Sequence, residues 1–302
     1  MENGASTTGT GARAVSLSIS ASAPEAGLYL VATPIGAARD ITLRALDVLN
    51  TADVLAAEDT RNLRHLMDIH GIALRGRRLI AYHDHNADRA RPAVLAALEQ
   101  GKSVAYASDA GTPLVADPGY RLARDAAEAG HAVRALPGPS AALAALSVSG
   151  LPSDRFLFVG FPPAAAGARR KWLESWRAVE ATVIAFESPR RVKQLLENVC
   201  DAEANRATVI CRELTKKFEE VMRGTAAELA ERIPEEGLRG EIVVLFGHPQ
   251  PLAPSEANLR DALADLPEDM PVKAAATEIA TRFGLPRRDV YALAVQMRKE
   301  RE

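Results

Sequence analysis

The chain has 302 residues, with 37 Lys or Arg against 39 Asp or Glu, a formal net charge of -2. That balance excludes a global electrostatic pull on nucleic acid, so any RNA partner must be held by local basic patches; the length exceeds one ordinary core and suggests two domains plus extras. Only two cysteines, Cys200 and Cys211, are present, which excludes a disulfide framework or a structural zinc site of their own, and no apolar run approaches the 18 residues of a membrane span.

The first 24 residues are rich in Ala, Ser, Gly and Thr, without a basic start or a continuous apolar core. A disordered tail is expected over 1–26, not a signal peptide, and a cytoplasmic protein follows as the default. From residue 27 to 148 short apolar strands alternate with helical stretches. Strands are predicted at 27–33, 53–57, 78–82, 103–107 and 131–135, and helices at 40–50, 60–69, 88–99, 119–129 and 139–148. Strict βα alternation argues a parallel sheet covered on both faces. Leu43, Leu46 and Leu49 recur at helical spacing, with Asp40 placed as an N-cap.

Three of these strands run into Gly/Pro loops: Thr33-Pro34-Ile35-Gly36, the stretch from Ser108 to Gly119, and Pro137-Gly138-Pro139-Ser140. In open α/β sheets the crevice outside the carboxyl ends of the strands is where ligands bind. Residues 149–154 break the rhythm and read as an interdomain linker. Strands then follow at 156–161, 181–186, 207–211, 219–223 and 241–246, with connections that suit antiparallel pairing. Thr225-Ala226-Ala227-Glu228 matches a capping box opening a helix. The expected organisation is an α/β fold: an N-terminal α/β domain over 27–148 and a mixed-sheet α/β domain over 149–247. A linker from His248 to Pro254 leads to a small helical C-terminal module over 255–302. Gly284 occupies a helix-turn-helix position in that module, which either binds RNA or a partner or packs on the second domain.

Several motifs fail their context. Gly9-Thr10-Gly11-Ala12 lacks the preceding strand of a dinucleotide fingerprint, and Gly101-Lys102-Ser103 enters a strand where a P-loop needs a helix. His83-Asp84-His85 has no third ligand nearby and reads as a polar loop, so no metal is expected. No Gly-x-Ser-x-Gly elbow is present and neither cysteine has a histidine nearby in sequence, which weakens hydrolase readings.

Three charged constellations sit at predicted strand ends: Glu58-Asp59-Thr60-Arg61, Glu187-Ser188-Pro189-Arg190-Arg191, and Arg212-Glu213-Leu214-Thr215-Lys216-Lys217. The first is also what a capped helix start with a salt bridge looks like. Arg suits bidentate phosphate contacts. A ligand pocket facing such a wall suggests a cofactor meeting a phosphorylated or nucleic-acid substrate.

These segments, with Leu28 to Gly36, Asp40 to Leu46, Leu136 to Ala141 and the 108–119 loop, are collinear from about 27 to 247. They closely resemble the ribosomal RNA small subunit methyltransferase I family of the tetrapyrrole methylase superfamily. Two positions depart from the family pattern. Ala37-Ala38 stand where Asn-Leu is usual, which removes any hydrogen bond of that Asn, and Phe186 directly follows Ala185 where the family carries a Tyr.

The resemblance implies two α/β domains of tetrapyrrole-methylase type in a homodimer, with S-adenosylmethionine in the cleft. It implies transfer of methyl to the ribose 2'-oxygen of a decoding-centre cytidine in 16S rRNA. It places Pro34, Ser108, Asp109, Ala110, Gly111, Thr112, Pro137, Gly138, Pro139 and Ser140 on the cofactor. An in-line displacement needs positioning and a proton acceptor, for which Asp59, Glu187, Glu213 and Lys216 are the candidates. Arg61, Arg190, Arg191, Arg212 and Lys217, with Lys216, are expected to hold RNA phosphates. A precorrin-type methyltransferase and a non-catalytic RNA-binding assembly factor on the same fold are the alternatives.

Overall fold

The computed structural model describes residues 22–115, 119–249, 256–267 and 270–301. The chain separates into two compact units that meet at His248 and Pro249. The first unit holds two five-stranded sheets.

The first sheet is built from β1 (Gly27–Val31), β2 (Val54–Ala57), β3 (Arg78–Ala81), β4 (Ser103–Ala107) and β5 (Val133–Leu136), in the order β3-β2-β4-β1-β5. All four pairings are parallel. Between the strands run α1 (Leu43–Thr51), α2 (Thr60–Ile69), α3 (Ala87–Glu99) and α4 (Tyr120–Glu128). One face buries Leu46, Leu49, Leu63 and Met67 from α1 and α2. The other buries Val94, Leu98 and Leu122 from α3 and α4. Every residue of β2 and β4 is therefore buried, which is why these strands read as unbroken apolar runs without alternation.

Two local expectations need correction. Asp40 is not the cap of α1; Thr42 is, its Oγ1 accepting from the Ala45 amide at 3.2 Å. Asp40 instead donates its amide to Ala37 O, closing a turn two residues too early to cap. The first strand also stops at Val31 and not at 33, because Thr33 leaves the sheet to exchange both backbone hydrogen bonds with Gly111.

α5 (Ala141–Ser149) ends the first half, and Gly150 closes it in the left-handed conformation, φ 77°. Its terminal carbonyls, Val148 O and Ser149 O, accept from the Arg223 guanidinium. The second sheet contains β6 (Phe156–Phe158), β7 (Thr182–Glu187), β8 (Ala207–Arg212), β9 (Glu220–Thr225) and β10 (Ile242–Phe246). Its order is β6-β7-β10-β8-β9, with β6 parallel to β7 and the remaining pairs antiparallel. The sheet is mixed, as expected. α6 (Ala166–Arg177), α7 (Val192–Glu203) and α8 (Ala226–Arg232) accompany it.

Trp176, Leu195, Leu196 and Leu229 cover one face of this sheet. The other face takes Ala142, Ala145 and Leu146 of α5 together with Ile35. α5 therefore joins the two sheets into one unit, and the 149–154 segment is the passage between them. The capping box at α8 forms as read, with Thr225 Oγ1 accepting from Glu228 N at 3.2 Å and Glu228 Oε2 from Thr225 N at 2.8 Å.

The second unit contains α9 (Glu256–Ala264), α10 (Val272–Phe283) and α11 (Arg287–Arg301). Ala276, Ile279, Ala280 and Val290 form its core, and Gly284 makes the turn at φ 64°. Residues 1–21 of the expected tail, 116–118 of the Gly/Pro loop, 250–254 of the second linker and 255, 268–269 and 302 of the helical module lie outside the described residues. Residues 22–26 precede β1, where Glu25 pairs with Arg134 at 2.6 Å and its carbonyl accepts from Tyr29.

Candidate active site

The three Gly/Pro loops are tied into a single wall. Thr33 Oγ1 donates to Ser108 O at 3.0 Å, Ser108 Oγ donates to Gly111 O at 2.7 Å, and Thr112 Oγ1 donates to Pro139 O at 2.9 Å. Gly138 packs so closely on β1 that a Cβ there would stand 2.8 Å from Ala32 Cβ. Gly36 lies against the β8–β9 loop: its Cβ would fall 2.5 Å from Thr215 Oγ1 and 2.9 Å from Leu214 O. Ala37 N donates to Thr215 Oγ1 at 3.1 Å, so the first strand's loop reaches the β8–β9 loop through a backbone amide and a side-chain hydroxyl.

Between these walls is a cavity of about 380 Å³. Ile35, Ala110, Gly111, Thr112 and Ser140 line it from the loop side. Phe186, Glu187, Ser188, Cys211, Leu214, Glu241 and Val243 line it from β7, β8, β10 and their ends. The lining is mostly apolar with a few convergent polar groups, the composition of a small-molecule site. Its size falls within the range of small-molecule sites.

Of the residues expected on a cofactor, Ala110, Gly111, Thr112 and Ser140 meet the cavity, whereas Pro34, Ser108, Asp109, Pro137, Gly138 and Pro139 do not line it. Of the latter, Ser108 and Pro139 hold lining residues through Gly111 O and Thr112 Oγ1, and Asp109, Pro137 and Gly138 are exposed. Asp109 Oδ1 accepts from the Asp59 amide at 2.8 Å, joining two strand-end loops.

Asp59 is the N-cap of α2, its Oδ1 accepting from Arg61 N at 2.8 Å, and it is ion-paired with Arg61 at 2.5 Å. The guanidinium and amide of Arg61 hold its carboxyl at about 2. The capped helix start is what the structure contains, and Asp59 lines no part of the cavity.

Glu187, at the end of β7, has a side chain only 1% exposed. Its Oε1 accepts from Ser188 N at 2.6 Å and pairs with Arg191 at 2.9 Å. Lys216 donates to Glu213 Oε1 at 2.8 Å and to Glu241 Oε2 at 2.9 Å. Burial works against the ammonium, but the two carboxylates outweigh it and raise the pKa. Lys216 is held charged, and cannot accept a proton. The same contact, with the Glu241 amide, lowers Glu213. Backbone strain gathers here, with Glu213 at φ 50° and Thr215 at φ 63°, conformations that non-glycine residues adopt only where surroundings enforce them.

The expected RNA-binding cations fall into two groups. Arg61, Arg191 and Arg212 are paired with Asp59, Glu187 and Glu220. Arg190 and Lys217 are exposed and have no carboxylate within ion-pair distance among the described residues, Lys217 lying over the Phe218 ring at 5.5 Å. Burial pushes the Cys211 thiol up to about 11, so it acts as an apolar part of the floor. Among the described residues no group of three or more His, Cys, Asp or Glu could hold a metal, and no helix is long and apolar enough to cross a membrane.

Sequence reasoning missed Phe161, Gly240 and Glu241 as lining residues. Phe161 carried a signal in hindsight, an aromatic framed by Gly160 and Pro162-Pro163; Glu241 was hidden as the first residue of a predicted strand.

Residues 27–230 match the family described as Tetrapyrrole (Corrin/Porphyrin) Methylases, and residues 253–298 match the RsmI C-terminal HTH domain. The chain is 49% identical over 276 residues to "Ribosomal RNA small subunit methyltransferase I" of Mesorhizobium japonicum, covering 91% of this chain and 93% of that protein. Among solved structures, diphthine synthase superposes with a TM-score of 0.58 at 16% identity, covering 73% of this chain and 89% of that one. Uroporphyrin-III C-methyl transferase from Thermus thermophilus complexed with S-adenyl homocysteine gives 0.52 at 18%, covering 73% and 97%. At these identities the structures speak for the fold alone.

Proposed function

Because the chain belongs to the tetrapyrrole methylase family, and within it to the ribosomal RNA small subunit methyltransferase I proteins, we propose that it methylates the ribose 2'-oxygen of a decoding-centre cytidine in 16S rRNA. Its cofactor is S-adenosylmethionine.

The cavity fits that cofactor in volume and chemistry. Its apolar lining suits a flat base and a sulfonium, and Glu187 and Glu241 supply negative charge for a cationic ligand. Gly111 stands where a Cβ would be 3.4 Å from Ile35 and at φ 79°, so a side chain there would both strain the loop and fill the cradle. When bound, the cofactor supplies a methyl group on a sulfonium whose leaving group is a neutral thioether.

The observation that carries the reading is the pairing, around one cavity, of a hydrogen-bonded loop wall with a second wall bearing Glu187 and Glu241, which are ion-paired to Arg191 and Lys216. Collinear alignment of nucleophile and methyl is a positioning task, which rigid loops perform. In transfer to a ribose hydroxyl an O–C bond forms, the S–C bond breaks, and the hydroxyl proton must leave. Glu187 is the best-placed acceptor, since it lines the cavity and Arg191 and Ser188 hold it in place. Asp59 is spent on its cap and on Arg61, and Lys216 is charged. Glu213, Lys216 and Glu241 form a charged cluster that orients the sugar-phosphate. Arg190 and Lys217 meet RNA phosphates most directly, and Arg61, Arg191 and Arg212 can exchange their carboxylates for phosphate. The protein works on small subunits in the cytoplasm as a homodimer, which light scattering tests by a mass twice that of the chain.

The deciding experiment supplies labelled cofactor with 30S subunits or naked 16S rRNA from a strain lacking the activity, then maps ribose methylation. One 2'-O-methylated cytidine is the expected result, and no incorporation into either substrate overturns the reading. Arg190→Ala with Lys217→Ala should weaken binding and reduce the salt slope by about one per cation removed.

A further inference from the structure

β6 ends at Phe158, yet its alignment with β7 continues for two residues. Val159 N donates to Ile184 O at 2.9 Å and Phe186 N donates to Gly160 O at 3.0 Å. At Gly160 the backbone turns left-handed, φ 67°, and the chain leaves the sheet. Phe161 follows, and Pro162 and Pro163 come directly after it. A proline fixes its own φ and confines the preceding residue to extended conformations. Phe161 is thereby pinned on its N-terminal side by the ladder and on its C-terminal side by two rings, of which Pro162 is buried.

The Phe161 side chain is 55% exposed and lines the cavity beside Glu187 and Ser188. Its ring stands 5.5 Å from that of Phe186 at 65°, and Phe186 stands 4.8 Å from Phe158 at 64°. These edge-to-face contacts brace Phe161 and leave it partly open to solvent. The other large exposed aromatics, Tyr120, Phe156, Phe218 and Tyr291, do not line the cavity. A hydrophobic ring held rigidly in water at a cavity mouth gains its burial from a ligand.

The substrate dictates which part of it would come here. A ribose oxygen that reaches a methyl donor inside the cavity brings its nucleotide to the cavity mouth, and in single-stranded RNA the attached base is free to leave its neighbours. Sugar and phosphate are polar; the base alone offers a flat apolar face, and proteins receive unstacked bases on aromatic side chains. We infer that Phe161, braced by Phe186, is the platform on which the base of the target nucleotide stacks. Phe161 has no hydrogen-bonding group, so it favours a flat ring over none and does not itself distinguish one base from another. This inference rests on the ribosomal RNA reading above.

The test compares full-length Phe161→Leu and Phe161→Tyr with the unaltered protein. Steady-state methylation of 30S subunits at saturating cofactor is measured beside calorimetric affinity for S-adenosylmethionine. Phe161→Leu keeps apolar bulk and loses the flat face; it should raise KM for the subunit, or lower kcat/KM, by about tenfold or more. Phe161→Tyr should stay within about threefold of the unaltered protein, because the stacking face is restored. Cofactor affinity should fall by no more than about threefold in either variant, because Phe161 is one of many lining residues and stands more than half exposed. The platform is refuted if Phe161→Leu methylates normally, if Phe161→Tyr fails equally, or if cofactor affinity falls in step with activity. Inactivity of the unaltered protein on subunits would overturn the ribosomal RNA reading and the platform with it, whereas an active protein with a normal Phe161→Leu variant overturns only the platform.

Discussion

Removing the Arg191 guanidinium tests whether the cavity wall depends on one ion pair. The Glu187 side chain is 1% exposed and Arg191 is 34% exposed, and they meet at 2.9 Å. Breaking a fully buried pair from one side costs about 3–5 kcal/mol, mostly from the charge left behind. Here one partner keeps a third of its contact with water, and Ser188 N continues to donate to Glu187 Oε1, so Arg191→Ala should cost about 2–3 kcal/mol. Glu187→Gln removes the stranded charge, so the double variant should be more stable than Arg191→Ala alone by about 1–2 kcal/mol. The chain has two tryptophans, and both lie on α6, with Trp176 buried and stacked on Phe246 of β10. Their fluorescence in a urea titration therefore reports the sheet that carries Glu187. If Arg191→Ala unfolds at the unaltered midpoint, or if the two substitutions simply add, the account of a charge pair supporting this wall is wrong.

Other perturbations have equally definite expectations. Gly36→Ala would press a Cβ against Thr215, Lys216 and the Leu214 carbonyl at 2.5, 2.6 and 2.9 Å; backbone cannot step aside, so a loss of about 1–3 kcal/mol and weaker cofactor binding should appear by thermal shift and calorimetry. For Asp59 the carboxyl sits below the usual 3.9 or so, at about 2, because Arg61 donates to the charged form. Its stabilising contact is complete above the unfolded value and disappears as pH falls through about 2. An NMR titration of the Asp59 carboxyl should show that midpoint and a rise in Arg61→Ala, and a midpoint near 4 in the unaltered protein would refute the pairing. Thr225→Ala removes the capping hydroxyl of α8 and should cost about 1 kcal/mol in the same urea assay, with Thr225→Ser close to unaltered.

Of the residues expected on a cofactor only Ala110 to Thr112 and Ser140 meet the cavity, for reasons that vary by residue. The loops after β1 and β4 are marked by Gly and Pro behind fully buried strands, a signal that is local and strong. Asp59 shows the opposite case: a carboxylate at a strand end is equally an N-cap, and only the 2.8 Å contact with Arg61 N decides between the two. Arg191 and Arg212 looked like free cations because their partners, four and eight residues away in the chain, depend on how β7 and β8 end. α6 and α7 were expected only as unspecified helices of the second sheet, since the charged, interrupted pattern from 166 to 203 has no sharp period.

The two sheets, their strand boundaries to within a few residues, the capping box at Thr225 and the family are all legible in the amino-acid sequence. Each of these is written in nearest-neighbour chemistry: apolar runs that need two covered faces, Gly and Pro that break them, and motifs in fixed order. Which residues line the cavity follows from long-range packing. Ala37 meets Thr215 across 178 positions of chain, and Thr33 meets Ser108 across 75. The first contact depends on how α5 fastens one sheet to the other, the second on β1 and β4 being neighbours in the first sheet. That packing puts Phe161 and Glu241 at the cavity and leaves Asp59 outside it, an outcome no local pattern encodes.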